Sequence, residues 1–338
     1  MDSLDPVAFA RALIDIDSTT GREQAAGEWL ASELESLGYT VQRQPVADDR
    51  FNVFATLDPD PQVVLSTHID CVPPHIPSDI RDGRLFGRGA CDAKGILAAQ
   101  VAAVERLRAA GERRAALLFV VGEERGSDGA VVANATASPT RFLINGEPTD
   151  NRLGIATRGN LRVRLTATGR AAHSAAPEHG ESAIDKLLDA LIRVRGMRWP
   201  SDPQLGTTFY SIGLIDGGVA PNVISPSASA ELMFRIVGSP DDVLETVRTL
   251  EPLVSVTEVL RVPMVHLHTV AGVDAAVFPF TTDIPLLDRW GTPLLFGPGS
   301  FLVAHTAEEH VRLHEVHDAI GTYVTLARHC LDHGDHGG

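Results

Sequence analysis

The sequence predicts an α/β protein with a mainly parallel sheet sandwiched by helices, interrupted by a smaller inserted α+β domain. Three observations carry this prediction. Short apolar, β-branched runs such as residues 63–67 alternate with helical segments up to about residue 157, which is typical of buried parallel strands. From residue 158 the strands alternate apolar and polar residues, as in an antiparallel sheet with one wet face. After about residue 262 the first pattern returns.

The elements before residue 158 follow from start signals, stop signals and periodicity. Asp5 and Pro6 begin a helix, because proline is favoured just inside a helix start. Gly38 and Gly111 end the second and third helices, because glycine is favoured just past a helix end. After the first helix, the predicted helices cover residues 22–37, 94–110 and 127–134, and the predicted strands cover residues 39–44, 51–57, 63–67, 115–121 and 141–144.

Residues 158–261 are predicted to form the inserted domain, with residues 1–157 and 262–338 forming the domain around it. The change is visible where Leu161, Val163 and Leu165 alternate with polar residues. The order of elements is strand, helix, strand, strand, helix, strand, which is the ferredoxin-like arrangement. After the first strand, the predicted segments are a helix at 182–194, strands at 208–215 and 228–236, a helix at 241–250 and a strand at 255–260.

The C-terminal part contains a short apolar strand at residues 294–296, followed by the turn GPGS. We predict that the last helix begins near Thr306, because Thr306 and Glu309 fit the T-x-x-E capping box. His310, His314 and His317 then fall on one stripe of this helix. We interpret that stripe as a solvated face rather than a metal site.

Composition and charge exclude several classes of function. The chain has 338 residues and a formal net charge of −15, whereas binding to nucleic acids or to anionic membranes needs basic surfaces. Its apolar runs are too short to span a bilayer, and its N-terminal stretch lacks the apolar segment of a signal peptide. Three cysteines in so long a chain do not suggest a disulfide scaffold. We therefore expect a soluble protein in a reducing, cytoplasmic setting that binds neither nucleic acids nor membranes.

Acids and histidines follow the apolar runs, where sites form in parallel sheets. Imidazole and carboxylate together suit zinc and similar divalent ions. Five protein ligands can serve two tetrahedrally coordinated metal ions only if the ions share one ligand. We therefore predict two metal ions bridged by Asp92. Three carboxylates and a bridging hydroxide would then balance four positive charges. The predicted ligands are His68, Asp92, Glu124, Glu147 and His305. Zn²⁺ is the expected ion, and Co²⁺ or Mn²⁺ would accept the same ligands.

Two further acids flank these ligands. Asp70 lies two residues after His68, and we expect it to hold the far nitrogen of that ring, which fixes the tautomer. Glu123 precedes Glu124, and a carboxylate that does not bind metal is what a general base requires. Each motif alone is more often part of an ordinary turn. Their combination, each after an apolar run, carries the prediction.

These motifs together resemble the M20 family of metal-dependent amidohydrolases, which includes acetylornithine deacetylase, succinyl-diaminopimelate desuccinylase, aminoacylase and carboxypeptidase G2-type enzymes. The resemblance covers almost the whole chain and rests on STHIDCVPP, GRGACDAKG, GEERGS, NGEPT, GRAAHSAAPEHGESAI, GGVAPNVI, MFRI and GPGSFLVAHTAEEH. It implies a zinc-exopeptidase-like fold with Glu123 as the base and Asp70 as the orienting group. It also implies that His68 and Glu147 complete one metal site, that Glu124 and His305 complete the other, and that Asp92 bridges them.

The resemblance assigns further roles to the inserted domain, as a lid and as the dimerisation surface of a homodimer. It implies that His173 stabilises the tetrahedral oxyanion across the dimer. It also implies that Arg235 binds a substrate carboxylate, which its guanidinium fork suits. The turn GPGS can offer backbone N–H groups to the same carboxylate. The predicted substrate-binding residues are Asn222, Arg235, Gly297, Gly299 and Ser300.

The expected reaction is hydrolysis of the amide bond of an N-acyl amino acid by the bridging hydroxide. The motifs favour an N-acetyl amino acid, such as acetylornithine or acetylcitrulline, in amino-acid biosynthesis. The alternatives are an M20-type dipeptidase or carboxypeptidase, and succinyl-diaminopimelate desuccinylase. A metal-binding homologue without activity is a third interpretation, against which the intact Glu123 counts. The loop between Pro74 and Gly87 is shorter than in many family members and borders the expected site, so it bears on the choice of substrate.

Overall fold

The computed structural model describes residues 4–137 and 140–333. The chain divides into two compact units. The first unit comprises Met1–Ile155, Leu267–Ala276 and Thr282–Gly338, and the second comprises Ala156–His266 and Val277–Thr281. The predicted inserted domain at 158–261 does not include the segment Val277–Thr281, and its boundaries stay a prediction.

Up to residue 145, helices alternate with strands as expected. In chain order these elements are α1 (Pro6–Ile14), α2 (Gln24–Ser36), β1 (Thr40–Ala47), β2 (Arg50–Thr56), β3 (Val63–His68), β4 (Asp79–Arg81), β5 (Arg84–Phe86), α3 (Lys94–Ala109), β6 (Ala115–Val120), α4 (Asp128–Ala135) and β7 (Phe142–Asn145). The carboxylate of Asp5 caps α1 by accepting a hydrogen bond from the N–H of Val7 at 2.9 Å.

The remaining elements run from residue 153 to residue 333. They are β8 (Leu153–Thr157), β9 (Gly159–Thr168), α5 (Ala183–Gly196), β10 (Ser201–Asp202), β11 (Gly206–Thr207), β12 (Phe209–Gly217), β13 (Ser227–Ile236), α6 (Pro240–Arg248), β14 (Ser255–Val262), β15 (Val265–His266), β16 (Ala275–Phe278), β17 (Thr292–Leu295), β18 (His310–Arg312) and α7 (Leu313–His333). Short 3₁₀ turns cover Glu123–Arg125, Pro177–His179, Ile284–Leu286 and Asp288–Trp290.

A six-stranded sheet forms the centre of the first unit, in the order β1-β2-β6-β3-β7-β17. β3 runs parallel to β6 and β7, and β17 runs parallel to β7, whereas β1 and β2 are antiparallel at one side. Every residue of β3 and β6 is buried, which explains why their sequences are continuously apolar rather than alternating. The predicted mainly parallel sheet is confirmed.

Helix α3 lies in the interior of the first unit, between α1, α7 and the sheet. Its sequence is rich in alanine, and every residue from Lys94 to Val104 is buried. The buried ammonium group of Lys94 donates hydrogen bonds to the carbonyl oxygens of Leu13 and Ile16, at 2.9 and 3.0 Å. These two bonds offset part of the cost of burying a charge and hold α3 against the end of α1.

The second unit contains a four-stranded antiparallel sheet in the order β12-β13-β9-β14. With α5 and α6, its chain order matches the predicted ferredoxin-like arrangement. The residues that alternate with polar ones on β9, such as Leu161, Val163 and Leu165, are buried in a separate apolar core. The alternation in the sequence therefore reflects a sheet with one covered face.

The predicted start of the last helix is wrong. Helix α7 begins at Leu313, and the residues before it form β18, which pairs antiparallel with β5. Thr306 donates its hydroxyl hydrogen bond to the carbonyl of Val303 instead of capping a helix. Glu309 is buried and accepts hydrogen bonds from a distant loop. Because His310 lies on a strand, the three histidines do not share one helical stripe.

Cys71, Cys91 and Cys330 are buried and form no disulfide bonds. Cys91 therefore serves as a small packing residue in the interior. In the ranges 4–137 and 140–333, each helix is too short or too polar to cross a bilayer.

Candidate active site

The predicted site lies where parallel strands end. β3 ends at His68, and the register places this residue opposite Val120, the last residue of β6. The turn after β6 carries Glu123, and Glu147 follows β7 by two residues. Strands that run parallel leave the sheet at one edge, so segments far apart in sequence meet there.

The carboxylate of Asp92 lies between two histidines. Its Oδ1 atom is 2.9 Å from Nε2 of His68, and its Oδ2 atom is 3.2 Å from Nε2 of His305. Nε2 of His305 is also 3.0 Å from Oε1 of Glu124. Ligand atoms of His68, Asp92 and Glu124 all lie within 4.8 Å of one another. A different oxygen of Asp92 faces each histidine, which is the arrangement that a bridging carboxylate needs.

Asp70 holds both the ring of His68 and the turn that carries the predicted base. Nδ1 of His68 is 2.9 Å from the main-chain oxygen of Asp70 but 3.6 Å from its carboxylate, so the main-chain carbonyl is the acceptor. The carboxylate instead accepts hydrogen bonds from the N–H groups of Glu123 and Glu124, at 3.0 and 3.2 Å. It also accepts one from the hydroxyl of Thr20 at 2.8 Å. The expected orientation of His68 by Asp70 therefore runs through the main chain.

The cluster holds an excess of buried negative charge. Burial and the charges of Glu147 and Asp283 raise the pKa of Glu123 well above its usual range. Burial, joined by the charge of Asp92, does the same to the pKa of Glu147. Hydrogen bonding to Asp92 raises the pKa of His305 to about 10. Because buried carboxylates without enough positive partners are costly, cations bound here would stabilise the folded chain.

The prediction from sequence missed one acid, Asp283. Its side chain is 1% exposed, and its Oδ1 atom has no hydrogen-bond partner among the residues described. Burial raises its pKa to about 6, against the opposing effect of a hydrogen bond with Ser127. Its charge acts on both Glu123 and Glu147. The surrounding sequence, TTDIPLL, has no ligand-like spacing, so no local signal marks it.

The donor set fits a pair of divalent metal ions. Imidazole nitrogens and carboxylate oxygens are ligands of zinc and related ions, and the excess of buried acids supplies the balancing charge. Glu147 is 5% exposed, and its charge acts on His68 and Asp92. The residues that would hold the ions are the five predicted ones, His68, Asp92, Glu124, Glu147 and His305. Their roles as ligands stay predictions.

The turn from Gly297 to Ser300 packs against the segment after Glu147. The N–H of Gly297 donates a hydrogen bond to Oγ1 of Thr149 at 2.9 Å. It is therefore engaged within the protein and is not free for a substrate carboxylate. Gly299 has φ +84, and a Cβ atom there would lie 2.6 Å from Cβ of Cys91, so only glycine fits. A substrate contact from Gly299 or Ser300 stays a prediction.

The other predicted substrate residues belong to the second unit. His173 and Asn222 are exposed and adjacent, since the N–H of Ser174 donates to the carbonyl of Asn222 at 3.0 Å. Arg235 is half-buried on β13, and burial lowers its pKa. Within the described part of the chain, its Nη1 atom has no hydrogen-bond partner. A half-buried guanidinium with an available N–H donor is suited to bind a carboxylate ligand.

The contacts of Asp70 predict the effect of Asp70→Asn. An amide places an NH₂ group where one of the three donors now points, so the turn that carries Glu123 loses part of its anchoring. We expect kcat to fall about 10–100-fold, as for groups that orient a metal site, with little change in KM. Steady-state kinetics would measure this. An unchanged kcat would show that the main chain alone holds the turn.

Comparison with known proteins gives a consistent result. The family model described as peptidase family M20/M25/M40 matches residues 64–329. A peptidase M20 domain-containing protein of Schizosaccharomyces pombe is 35% identical over 342 residues, covering 96% of this chain and 84% of its own length. A probable carboxypeptidase of Aspergillus terreus is 37% identical over 368 residues, covering 95% of this chain and 85% of its own length.

Solved structures share the fold. A tripeptidase from Staphylococcus aureus matches with a TM-score of 0.81 at 19% sequence identity, covering 96% of this chain and 98% of that chain. At this level of identity the match establishes the architecture alone, and it agrees with the zinc-exopeptidase-like fold that the sequence predicts.

Proposed function

The chain belongs to peptidase family M20/M25/M40, and from this premise we propose that it is a metal-dependent exopeptidase. It would cleave the amide bond beside a free C-terminal carboxylate, as a carboxypeptidase or dipeptidase does. The observation that carries the proposal is the Asp92 carboxylate between His68 and His305. Relatives named probable carboxypeptidase favour this substrate class over the N-acetyl amino acids that the sequence motifs favour.

The chemistry is divided between the metal ions and the protein. When bound, two divalent ions would polarise the scissile carbonyl and lower the pKa of water. The five ligands would hold them, with Asp92 shared. Within residues 4–137 and 140–333 the carboxylate of Glu123 accepts no hydrogen bond, while the N–H of Glu123 donates one to the carboxylate of Asp70. We assign to this carboxylate the removal of a proton from the attacking water and its delivery to the leaving nitrogen.

Recognition of the substrate would rest on Arg235. Nη1 of its half-buried guanidinium has no hydrogen-bond partner among the described residues, so a carboxylate from the substrate would satisfy it. His173, with its exposed ring, is assigned to the oxyanion that forms during amide cleavage. A dipeptide and an N-acetyl amino acid present the same amide and carboxylate. The identity of the acyl half therefore distinguishes the two candidate activities.

A substrate panel tests this function. Amine release would be measured with dipeptides, longer peptides, their C-terminally amidated forms, N-acetyl-ornithine, N-acetyl-citrulline and N-succinyl-diaminopimelate. Each reaction would contain Zn²⁺ or Co²⁺, with a chelated control. We expect the protein to cleave peptides that have a free C-terminus, and we expect the chelator to abolish this cleavage. The amidated forms should not be cleaved. Cleavage of acylated amino acids alone would reassign the protein as an N-deacylase. Metal binding without any cleavage would contradict an enzymatic role on these substrates.

We also propose that the chain forms a homodimer through the second unit. β12 is an edge strand, and most of its residues are exposed. Leu214 and Ile215 on β12 are 65% and 59% exposed, and Ile192 on α5 is 65% exposed. An apolar edge strand left uncovered favours association. In a dimer with two-fold symmetry, both copies contribute the same surface, so the β12 surface of one copy would pack against the β12 surface of the other.

The dimer proposal predicts that Leu214→Glu separates the copies. A charge in an apolar interface is poorly tolerated, because burial removes its hydration. Light scattering coupled to size-exclusion chromatography should show a mass near two chains for the wild type and near one for the variant. Val131→Glu, at another exposed apolar position, should leave the mass unchanged. A wild-type protein that elutes as a monomer at micromolar concentration would refute the proposal.

A further inference from the structure

Glu309 is a buried carboxylate outside the predicted ligand set. It lies four residues after His305 and directly before β18, and its side chain is 1% exposed. The pairing of β18 with β5 places it beside the loop that begins at Gly87, and the N–H of Gly87 donates to the main-chain oxygen of Glu309 at 3.2 Å. The side chain thus enters the loop that carries Asp92.

The carboxylate of Glu309 is saturated by this loop. Its Oε2 atom accepts a hydrogen bond from Nη1 of Arg88 at 2.5 Å. Its Oε1 atom accepts hydrogen bonds from the N–H groups of Gly89 and Asp92, at 2.9 and 3.3 Å. Arg88 is itself 3% exposed, and its Nε atom donates to the carbonyl of Pro74 at 3.3 Å. A charged pair excluded from water in this way persists only where its hydrogen bonds are nearly complete.

The loop between Gly89 and Asp92 is tight. Gly89 has φ +91, and a Cβ atom there would lie 2.8 Å from Sγ of Cys71. The carbonyl of Gly89 accepts a hydrogen bond from the N–H of Lys94 at 2.8 Å, at the start of α3. One carboxylate oxygen therefore bonds the N–H groups at both ends of a short turn. The position of the Asp92 main chain depends on that oxygen.

We propose that Glu309, paired with Arg88, is a positioning residue that sets the orientation of the Asp92 carboxylate between His68 and His305, where these residues would hold metal ions. The inference rests on the proposed metal-dependent function. The geometry supports it in two ways, because Glu309 bonds the N–H of Asp92 and lies on the same segment as His305. It joins the segments that carry the bridging ligand and one terminal ligand. Groups that orient metal ligands change metal affinity or activity when they are lost.

Glu309→Gln tests the role directly. The amide retains one acceptor oxygen but loses the charge that pairs with Arg88. We expect the affinity for Zn²⁺, measured by competition with a chromophoric chelator, to fall about 10–100-fold. The visible absorption of the Co²⁺-loaded protein should shift as well, because it reports the arrangement of the ligands. Arg88→Lys, which keeps the positive charge, should show a smaller loss of the same kind and provides a second variant if Glu309→Gln does not fold.

Glu105→Gln is the matched control. Glu105 is largely buried and pairs with Arg108 and the hydroxyl of Tyr39, near the far end of α3. Its loss should lower the unfolding temperature without changing Zn²⁺ affinity. If Glu309→Gln and Arg88→Lys bind Zn²⁺ within about twofold of the wild type, the pair is only structural and the inference is wrong. A wild-type chain that binds neither Zn²⁺ nor Co²⁺ would instead refute the proposed function, and this inference with it.

Discussion

Glu123→Gln is expected to lower kcat by about 10²–10⁴-fold, the range for loss of a general base, while leaving metal content unchanged. The amide is nearly the same size, so the side chain still fits its partly buried position. The N–H of Glu123 also keeps its hydrogen bond to Asp70, because that bond involves the main chain. Only the ability to accept and return a proton is lost. The measurement is kcat on the best peptide of the panel, together with metal analysis of the same sample.

The control for this experiment is Glu245→Gln, which changes an exposed glutamate on α6 and should leave kcat unaltered. If Glu123→Gln retained full kcat, another group would have to carry the proton. Asp283 would then be the first to examine, because it is a buried acid whose charge acts on Glu123. If the variant lost metal as well as activity, Glu123 would be a ligand rather than the base.

Asp92→Asn is expected to have the second large effect, on metal binding itself. Asp92 faces His68 with one oxygen and His305 with the other, and an amide has only one oxygen to offer. The change also removes one negative charge from the set that would balance two divalent ions. We expect the metal content after dialysis to fall from about two equivalents to one or fewer, and activity to be lost with it.

Metal analysis and calorimetric titration with Zn²⁺ would measure this effect. Asp318→Asn, on the exposed side of α7, is the matched control and should bind metal as the wild type does. Retention of two equivalents with wild-type affinity by Asp92→Asn would contradict the bridging role. In that case a carboxylate that is closer to the ions in the loaded protein, such as Glu147, would have to bridge.

Much of the candidate site could be predicted because its residues follow recognisable strands. His68 comes at the end of a continuously apolar run, and Glu123 and Glu147 follow two more such runs. Parallel pairing then requires these positions to share one edge of the sheet. The sequence order therefore determines which segments meet. The contacts of His68, Asp92, Glu124 and His305 agree with that expectation, while the catalytic and metal-binding roles stay predictions.

Other parts of the site could not be predicted, because they depend on contacts between residues far apart in sequence. Glu309 fits a capping box locally, but a pairing with Arg88, 221 residues away, outweighs that weak preference. Asp283 has no pattern around it at all. His305 adopts φ +64, an uncommon conformation for a residue with a side chain. No local sequence signal specifies it.

Amino-acid patterns were enough to predict the α/β class, the ferredoxin-like order of the second unit and the residue types of a metal site. Periodicity, turn residues and apolar runs are local properties, and they can be read within a window of a few residues. The folded structure was needed to show that the carboxylate of Asp70 binds main-chain N–H groups, that the last helix starts at Leu313, and that Glu309 contacts the loop of Asp92. These outcomes depend on the burial of charged groups. The partners of those groups come from segments far apart in sequence, so only the folded chain brings them together.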